Sequence, residues 1–207
     1  MQLTIATLNS TVYTIFRRMF EDEVDVDIYH GSAFNIEADA LISPANSFGY
    51  MDGGFDQLIL DELGSYIEQK VRDKIERHSD GELNVGRCSS VNLDRGKYKL
   101  LLVAPTMRVP MDVSTTSNAY VAMRAILSRV KFNGINSVVM PTLCTGVGKM
   151  DPYVAATQMK MAYRNVIGGN RLTSFEMAHM SQIKMLSPDF TDYTMNVVNK
   201  RYDKDDK

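Results

Sequence analysis

The sequence has no tryptophan and only two cysteines, Cys88 and Cys144. Two thiols cannot build a disulfide scaffold, and a chain of 207 residues needs none to bury a core. Both are read as reduced. Histidine occurs only at His30, His78 and His179, and neither cysteine sits in a CxxC pair. That argues against a Cys/His cage, and no metal and no cofactor is predicted. No apolar run approaches about 18 residues, so no membrane span is predicted. Neither sign of charge dominates. At a net charge of −2 the chain has no overall pull on nucleic acid or anionic lipid, although a local basic site stays open. The opening Met1–Ala6 has no basic stretch ahead of a long apolar one. It predicts no signal peptide and, with reduced thiols, a cytoplasmic setting.

What is present is an alternation of strands and helices. Residues 2–8 read as a strand, then Ser10 as a cap before Val12, Ile15, Phe16 and Met19 at helical spacing. Val24, Val26 and Ile28 alternate with Asp25 and Asp27, which predicts a strand with one wet face. Ala38–Ser43 reads as a buried strand ended by Pro44. Phe55, Ile59, Leu63, Ile67, Val71 and Ile75 form a helical stripe with a break near Gly64. Strands are predicted at 88–93, 99–104 and 137–141. Thr115 or Thr116 caps a helix that buries Tyr120, Met123, Leu127 and Val130. Asp151-Pro152 opens another, which buries Ala155, Met159, Ala162 and Val166 and ends at Gly168-Gly169. This order predicts one α/β domain with helices on both faces of a sheet. Residues 171–207 fit it less well, and the charged end from Lys200 to Lys207 is predicted to fray.

Two segments share one logic: an apolar strand runs into a glycine-bearing loop that opens a helix. The first is Ile42–Ser47 followed by Asp52-Gly53-Gly54-Phe55-Asp56; the second is Pro141–Gly148. Glycine lets backbone approach a ligand, and successive free N–H groups beside a helix N-terminus form an anion nest. Two such loops at the carboxyl ends of strands could grip a diphosphate. Each loop alone also reads as a tight turn. Asn46 can hydrogen-bond ribose hydroxyls or hold its loop as an Asx turn. Asp56 can act as a base or complement the helix dipole. Asp52, nearer the loop apex, is the alternative base. Cys144 combines loop and helix N-terminus, which favours thiolate, but packs inward as a small residue on the other reading.

Together and in this order the loops resemble the macro domain family. Asp39–Ser47 is similar to its D-A-I-V-N-A-A-N-S strand and loop, Gly53–Asp56 to its G-G-V-D, and Thr145–Gly148 to its T-G-V-Y/F-G. The resemblance covers about residues 24–168. Within the family, Pro44–Gly49, Met51–Gly54, Gly81–Gly86 and Ala104–Pro110 look closest to a stand-alone bacterial and phage subgroup. It implies a three-layer α/β/α sandwich with a mixed, mostly parallel sheet, spanning 1–207 with an extension at 171–207. It also implies a cleft for an ADP-ribose-like small molecule or an ADP-ribosylated macromolecule, with no membrane and no general nucleic-acid partner. By resemblance Asn46 faces the distal ribose, and Asp56 matches the acid of hydrolytic members. Ala45, Gly53, Gly54 and Phe55 border one side of the diphosphate; Thr145, Gly146, Val147 and Gly148 wrap the other. Two functions follow: hydrolysis of a distal-ribose bond, or non-catalytic reading or sequestration of an ADP-ribose-like nucleotide. Three positions depart from the family. Ser32 stands where an Asp binds adenine, Ser43 replaces an Asn, and Asp52 replaces a Gly.

Overall fold

The computed structural model describes residues 1–94 and 96–187. Six strands, β1 (Gln2–Thr7), β2 (Val26–His30), β3 (Ala40–Ser43), β4 (Ser89–Asn92), β5 (Leu100–Val103) and β6 (Ser137–Pro141), form one sheet in the order β2-β1-β6-β3-β5-β4. Every pairing is parallel except β4 with β5 at the edge. The parallel strands are short apolar runs, as both their faces are covered. Leu3, Ile5, Ala40, Ile42, Leu102, Val138 and Met140 point to one face, where α1 (Ser10–Met19), α4 (Asn118–Asn133), α5 (Pro152–Val166) and α6 (Phe175–Leu186) pack. Leu41, Leu101, Val103 and Val139 point to the other, against α2 (Gly54–Leu63) and α3 (Tyr66–Ser79). The result is a three-layer α/β/α sandwich. β1 lies between β2 and β6, so residues 2–7 belong to the sheet although the motif resemblance starts near residue 24.

The predicted helical stripe at 55–75 is two helices. Gly64 ends α2 with φ 108, and Ile59, Ile67, Val71 and Ile75 are buried on either side of the break. Some boundaries differ from the sequence reading. Asn9, not Ser10, caps α1: its Oδ1 accepts from the N–H groups of Thr11 and Val12. Val24 is 97% exposed, because the Val26 N–H turns back to the Glu23 carbonyl and delays β2 to Val26. α4 starts at Asn118, whose N–H donates to the Thr116 hydroxyl at 3.2 Å, one residue ahead of the N-cap Ser117. Asp151 caps α5 as its sequence predicts, accepting from Tyr153 and Val154.

α6 has no counterpart in the sequence reading. Phe175, Met177 and Leu186 are exposed, so its apolar residues do not mark the buried face; only Ser181 and Met185 are buried. Gln158, fully buried on α5, ties it down. The Gln158 Nε2 donates to the carbonyls of Thr116 (2.8 Å) and Met185 (3.3 Å), and its Oε1 accepts from the Tyr120 N–H. The predicted fraying of Lys200–Lys207 lies outside the described residues. No helix among the described residues is long and apolar enough to cross a membrane.

Candidate functional site: a cleft between two glycine loops

β3 and β6 are adjacent and parallel, so the loops that leave them emerge side by side at the carboxyl edge of the sheet. They border one cleft of about 330 Å³. Ala45, Asn46, Asp52, Gly53, Gly54, Phe55 and Asp56 line it from the first loop, and Gly146, Val147 and Gly148 from the second. In the first turn of α2 the N–H groups of Gly54, Phe55 and Asp56 donate to no acceptor among the described residues; the first helical bond runs from Gln57 to Gly53. The same holds for Thr145, Gly146, Val147 and Gly148. Two sets of unpartnered amides thus flank one space, which is the electrostatic requirement for an anion.

The glycines divide into two kinds. A Cβ on Gly53, Gly54 or Gly146 would meet nothing within 4 Å, so packing does not require glycine there. A Cβ on Gly148 would sit 2.7 Å from the Cys144 carbonyl oxygen and 2.7 Å from Val113 Cγ2. Gly148 is needed by the fold. Cys144 itself is held at φ 63, a left-handed conformation that costs a non-glycine residue energy and is retained where a loop is over-determined. It is buried, and burial pushes its thiol up to about 12 despite a Thr106 hydrogen bond. Cys144 is packed inward, and its desolvation opposes the thiolate.

Asp56 is buried, with the Ser43 hydroxyl donating to its Oδ1 at 2.7 Å. Burial raises its carboxyl from 3.8 to about 6, against the opposing effect of the Ser43 bond. Asp52 is exposed at the mouth. The Asn46 side chain is committed to its own loop: Oδ1 accepts from the N–H groups of Phe48 (3.0 Å) and Tyr50 (3.3 Å), and Nδ2 donates to the Tyr50 carbonyl (2.7 Å). One amide hydrogen remains for a ligand.

Ser32 and Thr145 stand apart from the lining. The Ser32 hydroxyl caps the short 3₁₀ turn Ala33–Asn35 by accepting from the Phe34 N–H, and the Thr145 hydroxyl bonds that of Thr142 at 2.7 Å. Arg108, within the Ala104–Pro110 segment, is bidentate to Glu82. Sequence reading gave no site role to Tyr50, Thr106, Met107 or Pro110, all of which line the cleft. Their signal was adjacency: β5 pairs with β3, and a parallel bridge joins Asn46 to Met107, so the segment after β5 runs beside the first loop. Strand order, which carries that information, is not written in local sequence. Among the described residues no group of His, Cys, Asp and Glu is arranged to hold a metal ion.

Comparison with known proteins agrees with this geometry. The family described as Macro domain matches residues 42–159. An uncharacterized protein of Aquifex aeolicus is 31% identical over 136 residues, 66% of this chain and 79% of that protein. Among solved structures, the macrodomain of Mycobacterium tuberculosis DarG superposes with a TM-score of 0.57 at 18% identity, covering 65% of this chain and 87% of that one. A glycine-to-valine mutant of the Oceanobacillus iheyensis macrodomain, solved with ADPR, gives 0.59 at 15% identity, covering 75% and 88%. With the family match spanning both glycine loops and the sheet between them, this chain belongs to the macro domain family.

Proposed function

We propose that the cleft binds ADP-ribose or a closely related nucleotide diphosphate and that the protein hydrolyses a bond at its distal ribose. The observation that carries this reading is the convergence of two sets of unpartnered backbone amides on one cleft bordered by two carboxylates, Asp52 and Asp56. A diphosphate answers the amides, and the relative solved with ADPR shows that this fold accommodates such a ligand. The mechanism is positioning plus water activation. Asp56 is the better base: its carboxyl is raised to about 6, close to neutral pH, and the Ser43 hydroxyl fixes one oxygen so that the other is aimed. Loop amides hold the diphosphate and so position the distal ribose for attack.

Thermal melting with ADP-ribose, ADP-ribose 1″-phosphate and NAD tests binding. Ligand at about 100 times its dissociation constant adds about 2.7 kcal/mol. For a chain of this size that raises the melting temperature by roughly 5–11 °C. No shift with any of them overturns the reading. Product analysis then tests turnover, which is expected to be lost in Asp56→Asn and to rise with pH through about 6 in the parent. Loss in Asp52→Asn alone moves the base to Asp52. A second reading, a reader or sequestering protein without turnover, is favoured by the commitment of Asn46 to its own loop. Binding without product in parent and variants alike selects it.

A further inference from the structure

A second concavity, about 720 Å³ and more than twice the volume of the cleft, lies at the open edge of the sheet. It shares no lining residue with the cleft. Its walls are α3 and α4, and between them run edge strand β4 and the segment leading into it. Among the described residues β4 pairs with β5 alone, and no further strand lies on its outer side. The helical period explains what faces it. On α4 the stripe Tyr120, Met123, Leu127 and Val130 is buried, which leaves Arg124, Ser128 and Phe132 at four-residue spacing, with Arg129 beside them, on the adjoining face. On α3, Ile67, Val71 and Ile75 are buried, and Lys74 and His78 flank them one turn apart.

The groove is basic without compensation. Lys74, Arg87, Arg124 and Arg129 line it, together with four serines, and no Asp or Glu does. None of these four cations pairs with a carboxylate among the described residues. By contrast Arg108, Lys160 and Arg164 are all ion-paired. Arg129 is fixed in place: its Nε and Nη2 donate to the Cys88 carbonyl at 3.1 and 2.7 Å. A chain of net charge −2 therefore concentrates four cations in one concave surface, where the field is locally positive. At the rim stands Phe132, an aromatic ring left 85% exposed at the end of α4.

We propose that this groove is a second binding site and that it takes a single-stranded nucleic acid. Cations spread over three elements match a chain of phosphates rather than one phosphate, and an exposed ring offers a platform on which a base stacks. Serine hydroxyls and the His78 imidazole add hydrogen bonds to backbone oxygens. A phosphorylated peptide would also meet the cations, but it has no use for the bare ring.

The test is fluorescence anisotropy of a labelled oligothymidylate of about 12 nucleotides with the full chain across a salt series. Four phosphate contacts give a slope of log affinity against log salt of about −2.8. The triple variant Lys74→Ala, Arg87→Ala, Arg124→Ala, which spares the Arg129 bond to Cys88, reduces that slope to about −0.7. Phe132→Ala weakens binding at least about fivefold through lost stacking. Saturating ADP-ribose leaves binding unchanged, since the two concavities share no residue. Binding that is insensitive to salt, or equal in parent and triple variant, overturns the proposal. So does a phosphoserine peptide that binds as tightly as the oligomer while Phe132→Ala has no effect. Melting curves of the variants, expected to lie close to the parent's because the one side-chain hydrogen bond lost is that of Arg124 to the Tyr120 hydroxyl at 3.2 Å, exclude misfolding as the cause.

Discussion

Gly146→Ala separates a binding glycine from a folding one. A Cβ at Gly146 meets nothing within 4 Å, and the residue's backbone is outside the left-handed region. Alanine should fit without strain, and the loss of unfolded-chain entropy should stabilise the protein by about 0.4–1 kcal/mol. In a chain of this length that is a rise of roughly 1–4 °C in melting temperature. The methyl group, however, is added to a residue that lines the cleft beside Val147. A phosphate oxygen bonded to the amides of these two residues would have to retreat, and a loss of about 1.4 kcal/mol is tenfold in affinity. At a ligand concentration of about 100 times the parent's dissociation constant, stabilisation should then fall from about 2.7 to about 1.4 kcal/mol. The control is Gly148→Ala, whose Cβ would lie 2.7 Å from the Cys144 carbonyl oxygen. That overpacking should cost about 1–3 kcal/mol without any ligand. The assay is a melt of each variant with and without ADP-ribose, with calorimetric titration for affinity. Undiminished binding by Gly146→Ala would refute the claim that the second loop's amides hold the ligand, whatever Gly148→Ala did.

Asp56→Asn should change how stability depends on pH. The folded carboxyl keeps its proton up to about pH 6 whereas the unfolded chain releases it near 3.8, so the contribution of Asp56 is full below 3.8 and is lost as pH rises through about 6. Ionised Asp56 then costs the neutral-pH fold about 3 kcal/mol, and urea midpoints should favour the Asn variant at about pH 7.5 but not at about pH 4. Parallel curves would remove the burial argument. Asn46→Ala leaves the Phe48 and Tyr50 amides and the Tyr50 carbonyl without their partner; it should cost about 1–3 kcal/mol. Hydrogen exchange should accelerate at Phe48 and Tyr50, and unchanged exchange would return Asn46 to the ligand alone. Gln158→Ala strands buried groups of Thr116, Tyr120 and Met185 and should cost about 3 kcal/mol or more in urea denaturation. A loss under about 1 kcal/mol would mean that α6 is not held by this side chain.

Local sequence carried most of the elements because their signals are local. Asp151-Pro152 predicts the start of α5, Gly64 the break between α2 and α3, and the short apolar run ended by Pro44 the buried strand β3. Where side-chain hydrogen bonds compete, the reading slipped by a residue or two: Asn9 outbids Ser10 as the cap of α1, since its carbonyl reaches two helical amides at once. α6 escaped because its buried face is held by a glutamine from another helix rather than by an apolar stripe. The basic groove escaped for a related reason. Lys74, Arg87 and Arg124 are scattered in sequence, and only the antiparallel return of β4 to the sheet edge collects them.

Of the three departures from the family pattern, Ser43 is the one whose consequence the geometry shows. Ser43 is buried and spends its hydroxyl on Asp56, so its effect on the cleft passes through that carboxylate. Ser32 caps a turn, and Asn46 holds a loop by three bonds. Asn46, Ser43, Thr142 and Thr145 thus spend their side chains on bonds within the protein, while backbone N–H groups of the two loops are left without acceptors among the described residues. On the proposed reading, such a cleft would hold a diphosphate mainly by its amides. Asp52 is then the exposed charge that a ligand meets at the mouth. A carboxylate there repels a bare diphosphate, so it favours a ligand whose diphosphate is flanked by neutral sugars and kept from the mouth. On the proposed reading, selectivity would be set by where negative charge is tolerated along the ligand, with one exposed aspartate set against the six unpartnered amides of cleft-lining residues.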